Sequence, residues 1–221
     1  LAALSTSSYS AYFDDQLELA KQGDADAQAK LGWMYEYGKG VQQDDKTAVM
    51  WYTKAAKQRH AFAQYDLGVM YDYGNGVQQD FKTAAMWYTK AAEQGNADAQ
   101  ANLGWMYFSG NGVQQDFKTA AMWYTKAAEQ GDAHAQFNLG GIYVDGNGVP
   151  ENDKTAVMWY TKAAEQGDTA AQVMLGFIYG KGEGVPENDI KAYVWTSMAK
   201  ANGYEVAKEN IDIYKKRMTK E

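Results

Sequence analysis

The chain has 221 residues, a formal net charge of −7, and no cysteine. The absence of thiols excludes disulfides, thiolate metal sites and cysteine nucleophiles. The acidic balance disfavours nucleic acid as a partner, because a negatively charged protein repels phosphate backbones. No apolar run approaches the roughly 18 residues of a membrane-spanning helix, so we expect no membrane insertion. Apolar residues make up 46% of the chain, which is ample for a packed core.

A 36-residue repeat organises the sequence. Its tryptophan recurs, without any insertion between copies, at Trp51, Trp87, Trp123, Trp159 and Trp195. A fixed period of this size indicates stacked helical units that share one continuous core, so we predict one elongated domain. We divide it into an N-terminal segment with a capping helix (1–23), five repeats (24–59, 60–95, 96–131, 132–167 and 168–203) and a C-terminal capping helix (204–221).

The N-terminal segment contains one predicted helix, over about residues 8–22. Asp15 stands where the later copies have tryptophan, so we interpret this helix as a degenerate copy that covers the first repeat and turns its acidic residues to water. The first five residues, LAALS, have two interpretations: the remnant of a signal peptide, or the boundary of an expressed fragment. The first interpretation favours a periplasmic or secreted protein over a cytoplasmic one.

Each repeat is predicted to form two helices, A and B. In the first copy, helix A spans about Ala25–Tyr37 after the N-cap Asp24, and helix B follows Asp44; short polar side chains are preferred at both cap positions. Gly32 and its copies lie in the middle of helix A, where glycine costs about 1 kcal/mol relative to alanine. We therefore predict that a neighbouring helix approaches closely there. The tryptophan of helix B, Trp51 in this copy, is predicted to lie in the core.

Two places depart from the repeat. Glycine follows helix B in four copies, but the first copy has Arg59 there, and a left-handed backbone at that residue would cost about 1 kcal/mol. After the last copy, the apolar stripe of Tyr204–Met218 predicts one more helix, whose basic residues would form a solvated C-terminal cap.

These columns resemble the Sel-one-like repeat (SLR), a relative of the tetratricopeptide repeat. In the third copy the resemblance is carried by Ala99, Gln100, Leu103, Gly104, Tyr107, Gly110, Gly112, Val113, Asp116, Ala120, Trp123, Tyr124, Ala127, Ala128 and Gly131. It implies an all-α, right-handed α/α superhelical solenoid whose A helices line the concave side. It also implies a non-enzymatic protein–protein interaction module, an adaptor or scaffold of bacterial type, with a protein or peptide as partner and no cofactor. We expect a monomer, because both end units have drifted from the repeat.

The positions of helix A that vary between copies predict where a partner binds. They are spaced by four, three and four residues, so they share one face of the helix. The residues predicted to bind a partner on this face are Asp26, Lys30, Trp33, Tyr37, Phe62, Asp66, Tyr73, Asn102, Trp105, His134 and Asn138. Their aromatic members belong to the first three copies, which places the expected binding centre there. The alternative interpretation is ordinary solvated or inter-repeat surface.

Two further functions stay open at this point. One is an inhibitory or immunity-type protein that blocks a specific bacterial enzyme, toxin or sensor. The other is a β-lactam-type hydrolase, because Ser197-Met198-Ala199-Lys200 matches the short S-x-x-K pattern. This function is disfavoured, because the companion motifs of that pattern are absent from the sequence. His60 and His134 are the only histidines and show no ligand spacing, so we predict no metal site and no catalytic residue.

Overall fold

The computed structural model describes residues 6–205 and 207–219, and every regular element in those ranges is an α-helix. The helices are α1 (Thr6–Lys21), α2 (Ala25–Tyr37), α3 (Asp45–Lys57), α4 (Ala61–Tyr73), α5 (Phe81–Glu93), α6 (Ala97–Ser109), α7 (Phe117–Glu129), α8 (Ala133–Asp145), α9 (Asp153–Glu165), α10 (Thr169–Lys181), α11 (Asp189–Ala201) and α12 (Ala207–Met218). The A helices are α2, α4, α6, α8 and α10, and the B helices are α3, α5, α7, α9 and α11. The fold is an all-α solenoid of five repeats, as predicted.

The helices form two compact units, one ending at Gln115 and one beginning at Asp116. In the first unit, each helix from α1 to α6 packs against the next. In the second unit, the same holds from α7 to α12.

Side-chain caps fix where the helices begin. Asp24 accepts a hydrogen bond from the amide of Ala27 at 2.7 Å, and Asp44 accepts from the amides of Lys46 and Thr47. These caps satisfy amides that have no partner inside the helix. Asp or Asn caps the B helix of every repeat and the A helix of four repeats, as predicted. The second repeat caps its A helix with a histidine instead: His60 Nδ1 accepts from the amide of Ala63 at 3.1 Å.

The mid-helix glycines Gly32, Gly68 and Gly140 of the A helices lie against tyrosine rings. A Cβ built on Gly32 would lie 2.5 Å from Cδ1 of Tyr52, and one built on Gly68 would lie 2.7 Å from Cδ1 of Tyr88. The predicted close approach is therefore confirmed, and the approaching group is a fully buried side chain of the paired B helix. Glycine is required because any side chain would displace that ring.

A ladder of side-chain amides joins consecutive helices. The buried Gln64 of α4 donates to the carbonyl of Ala56 on α3 at 3.0 Å and accepts from Gln94, which follows α5, at 2.6 Å. In the second unit, Gln172 donates to the carbonyl of Ala164 and accepts from Asn202. Each buried amide is thus satisfied by the helices on both sides of it, which avoids the cost of an unpaired buried polar group.

The core position predicted for the repeated tryptophan is confirmed in four repeats. Trp51, Trp87, Trp123 and Trp159 are buried, and the lysine three residues later lies over each indole, 4.2 to 4.4 Å from the ring centroid. Trp195 is only partly buried. Met198 stands in place of the covering lysine in that repeat.

The departures from the repeat also have structural counterparts. Arg59 has a left-handed backbone, with φ of 67°, so the steric cost considered from the sequence applies to it. The C-terminal helix begins at Ala207 rather than at Tyr204, and it buries Ile211 and Tyr214. The Tyr214 hydroxyl donates to the carbonyl of Gly176 at 3.2 Å. At the other end, α1 begins two residues before the predicted start, and residues 1–5 lie outside the described residues.

Candidate functional site

Five large aromatic side chains remain exposed on the A helices of the first unit. They are Trp33, Tyr37, Phe62, Tyr73 and Trp105, and between 45 and 71% of each is accessible to solvent. We call this set the aromatic row. It lies on α2, α4 and α6. The rings of Trp33 and Tyr37 lie one turn apart, with centroids 5.7 Å apart, so they form one continuous apolar surface.

The helices hold the aromatic row outward because another face of each is committed to the core. Leu31, Met34, Leu67 and Met70 are buried, on a face of α2 and α4 that adjoins the exposed one. Positions spaced by three and four residues share a helix face, so the residues between these core positions must point elsewhere. The capped, packed helices therefore present the aromatic side chains on rigid backbone.

Asp26 is engaged within the protein. Its carboxylate lies 3.2 Å from His60 Nε2, across the junction between the first two repeats. Because His60 Nδ1 accepts the amide of Ala63, the ring carries its proton on Nε2 and donates to Asp26. His60 also lies beside Phe62, with ring centroids 6.3 Å apart, so this hydrogen bond joins α2 to a residue that neighbours the aromatic row.

A pair of carboxylates lies beside the aromatic row. Glu36 accepts a hydrogen bond from the buried Tyr52 hydroxyl at 2.7 Å, and Asp66 lies next to the same hydroxyl. Burial, and after it the nearby charge of Glu36, raise the pKa of the Asp66 carboxyl to about 7. Asp66 is half-buried rather than fully exposed. The pKa of Tyr52 is also raised, mainly by its burial and then by Asp66.

The position equivalent to Asp66 in the next repeat is Asn102, and its side chain is also partly engaged. Asn102 is half-buried and hydrogen-bonds with the hydroxyls of Tyr65 and Tyr88. Burial raises the pKa of Tyr65 to about 12, and the carboxylate of Asp98 raises it as well. The predicted set thus includes exposed aromatics and two polar side chains, Asp66 and Asn102, that turn toward the buried tyrosines. Lys30 is exposed on α2.

His134 and Asn138 lie on α8, in the second unit. His134 is exposed, with Nδ1 3.8 Å from the carboxylate of Asp168, while Asn138 is half-buried. In the second unit, the position equivalent to Trp33 is occupied by Gly141 and then by Phe177. The aromatic row is therefore a feature of the first unit.

The sequence-based prediction missed Glu36 and its partner Tyr52. The same arrangement recurs one repeat later, where the Tyr88 hydroxyl lies 3.2 Å from Asp72. The signal was an acidic residue two positions before Gly38 and Gly74, followed 16 residues later by tyrosine. It is present only in the first two repeats.

No three His, Asp or Glu side chains of residues 6–205 and 207–219 converge as a metal ligand set. None of the helices in the part of the chain that the structure describes has both the length and the apolar content needed to cross a bilayer. Ser197 and Lys200 lie one turn apart on α11; Ser197 is half-buried and Lys200 is exposed.

Comparison with known families identifies the repeat. The model of the Sel1 repeat matches residues 25–60, 61–96, 97–132, 133–168 and 169–204. This chain belongs to the Sel1 repeat family. Sel1 repeats are typically non-enzymatic protein-interaction scaffolds. Among curated protein sequences, none is significantly similar to this chain.

Solved Sel1 repeat structures share the fold closely. The chain is 38% identical to c5321, described as a protective antigen of uropathogenic Escherichia coli strains, with a TM-score of 0.87 over 90% of this chain. It spans only 43% of the length of c5321. A Sel1 repeat protein from Oxalobacter formigenes is 36% identical, with a TM-score of 0.84 over 92% of this chain and 81% of that protein.

A more distant structure shares the fold alone. The immunity protein PA5088 from Pseudomonas aeruginosa is 21% identical, with a TM-score of 0.54 over 86% of this chain and 72% of its own length.

Proposed function

We propose that this chain is a non-enzymatic interaction module that binds an extended peptide, or a loop of a partner protein, along the aromatic row. One observation carries the proposal: five large aromatic side chains stay exposed on three A helices of the same unit. Exposed aromatic clusters of this kind are typical of interaction surfaces, where tryptophan and tyrosine supply most of the binding energy.

The rigidity of these helices supports the same proposal. α2, α4 and α6 each begin at a side-chain cap and end at a left-handed glycine. A surface that is already ordered loses little conformational entropy when it binds, so more of the contact energy appears as affinity. Tyr37 and Tyr73 occupy the last position of their helices, where a partner can reach them from the side of the following loop.

A library of random peptides, displayed on phage and selected on the full chain, tests the proposal. Peptides of about 12 residues are long enough, at about 3.3 Å per extended residue, to cross several helices. We expect the selected peptides to lose at least tenfold in affinity for the double variant Trp33→Ala/Trp105→Ala. Phe177→Ala is the matched control, because Phe177 is an exposed aromatic residue at the same repeat position in the second unit.

Two outcomes would overturn the proposal. One is a selection that yields no binding peptide. The other is a set of peptides that bind the double variant as tightly as the parent chain, while both proteins unfold at the same temperature.

The inhibitory alternative would use the same surface and differs in what its partner does. It predicts that the bound partner is an enzyme, toxin or sensor that loses its activity in the complex. The catalytic alternative is tested separately by a β-lactam hydrolysis assay of the parent chain and of Ser197→Ala. We expect the substrate to be hydrolysed no faster with either protein than in buffer alone.

A further inference from the structure

The aromatic rings of this protein are repeatedly covered by cations. In each of the first four B helices, a lysine lies over the buried tryptophan, 4.2 to 4.4 Å from the ring centroid. On α10, Lys181 lies over Phe177 at 4.0 Å. Phe177 and Lys181 occupy the same repeat positions as Trp33 and Tyr37. A cation on this aromatic position of an A helix is therefore an arrangement that the fold already accommodates.

Trp33 and Trp105 differ from these covered rings. Both belong to the A-helix column of Phe177, and both are nearly half exposed. Among the cation–aromatic contacts of the described residues, none involves either indole. Tyrosine and serine, rather than lysine, stand four residues later. Tryptophan is the ring that attracts a cation most strongly, so these two faces are available to a cation from another molecule.

The charge around the aromatic row is negative, which matches a cationic partner. The A helices of the first unit carry five carboxylates and one lysine, Lys30. Glu36, Asp66 and Asp98 take part in none of the ion pairs formed by the described residues. The side chains that shift the pKa of Asp66 are those of Glu36, Tyr52 and Asp98, and none of them is cationic.

From these observations we propose that the segment bound along the aromatic row is basic, with arginine or lysine side chains stacked on Trp33 and Trp105. Glu36, Asp98 and the ionised form of Asp66 balance its charge. Arginine suits the site better than lysine, because its planar guanidinium stacks on an aromatic ring and bonds a carboxylate at the same time. This inference rests on the proposed function and adds the chemical class of the partner.

The composition of the peptides selected on the full chain is the first test. We expect the selected peptides to carry a net positive charge, with arginine enriched over the starting library. Raising the salt concentration from 50 to 500 mM should weaken their binding about tenfold or more, because exposed charges are screened by salt. Selected peptides that are neutral or acidic, yet still lose affinity for Trp33→Ala/Trp105→Ala, would overturn this inference and leave the proposed function standing.

Substitution of the charges on each side is the second test. Replacing one arginine of a selected peptide with citrulline, its neutral isostere, should lower affinity about threefold to thirtyfold, the range expected for a cation–aromatic contact. At pH 8, where Asp66 is mostly ionised, Asp66→Asn/Asp98→Asn should cause a loss of similar size. Asp145→Asn, at an exposed carboxylate on α8, is the control and should leave affinity unchanged.

The two failures remain distinguishable. Citrulline peptides that bind as tightly as arginine peptides, with Trp33→Ala/Trp105→Ala still impaired, contradict only the basic character of the partner. Peptides that bind Trp33→Ala/Trp105→Ala as tightly as the parent chain contradict the proposed function itself.

Discussion

The ring of Tyr160 packs directly on Gly140 in the middle of α8: a Cβ built on Gly140 would lie 2.7 Å from both Cδ1 and Cε1 of that ring. The adjacent Gly141 would place its Cβ 3.6 Å from the Tyr160 hydroxyl oxygen, an ordinary contact distance. Gly140 thus has no room for a side chain, whereas the next residue, Gly141, has room for a methyl group.

Alanine should therefore have opposite effects at these two positions. We expect Gly140→Ala to destabilise the protein by about 1 to 3 kcal/mol, because a buried ring must move. We expect Gly141→Ala to stabilise it by up to about 1 kcal/mol, because alanine favours the helix. Urea unfolding of both variants measures the difference, and equal effects would contradict the packing of Tyr160 on Gly140.

Stability should depend on pH through Asp66. The pKa of its carboxyl is raised to about 7, first by burial and then by Glu36, whereas an unfolded aspartate has a pKa of about 4. The folded chain therefore holds a proton that the unfolded chain releases. This contribution to stability is fully present below about pH 4 and is lost as the pH rises through about 7.

Asp66→Asn removes that dependence while keeping the shape of the side chain. Relative to the parent chain, the variant should gain stability progressively between pH 4 and pH 8, by up to about 4 kcal/mol. Chemical unfolding at both pH values measures the gain, and Asp145→Asn serves as the exposed control. Parallel stability profiles for Asp66→Asn and the parent chain would show that Asp66 ionises normally.

Arg59 is the one described residue other than glycine with a positive φ, at 67°. The equivalent residue in the next repeat is Gly95, with φ of 91°. We expect Arg59→Gly to stabilise the chain by about 1 kcal/mol, because it removes the steric cost of a left-handed side chain. The reverse change, Gly95→Arg, should cost a similar amount. Thermal unfolding of the two variants checks both signs, and a loss of stability in Arg59→Gly would contradict the strain.

The two tryptophan columns should respond differently to truncation. Trp123 is buried and covered by Lys126, so Trp123→Ala should destabilise the chain by about 3 to 5 kcal/mol. Trp105 is nearly half exposed, and Trp105→Ala should cost less than about 1 kcal/mol. Similar unfolding midpoints for the two variants would contradict the assignment of one column to the core and the other to the surface.

The regular part of this fold was predictable from the sequence because it depends on local signals. The 36-residue period placed the helices, and short polar residues such as Asp24 and Asp44 marked where they begin. The glycines at the positions equivalent to Arg59 indicated where a left-handed backbone was to be considered. Each of these features depends on residues a few positions apart, so a single sequence contains the information.

The chemistry of the candidate site was less predictable because it depends on contacts between helices. The Tyr52 hydroxyl reaches Glu36 and Asp66 on two different A helices, and no local pattern indicates that Asp66 is half-buried. His60 shows no ligand spacing in the sequence, which indicated no structural role for it, yet it caps α4 and contacts Asp26. The exposed aromatics were found because variation between copies separates surface positions from core positions.

Hydrogen exchange of the full chain, with and without a selected peptide, tests the central claim most directly. If the peptide binds along the aromatic row, amide protection should increase within residues 25–37, 61–73 and 97–109, while α8 and α10 exchange as in the free protein. Protection confined to the second unit, or to the B helices, would contradict the account and place the binding surface elsewhere.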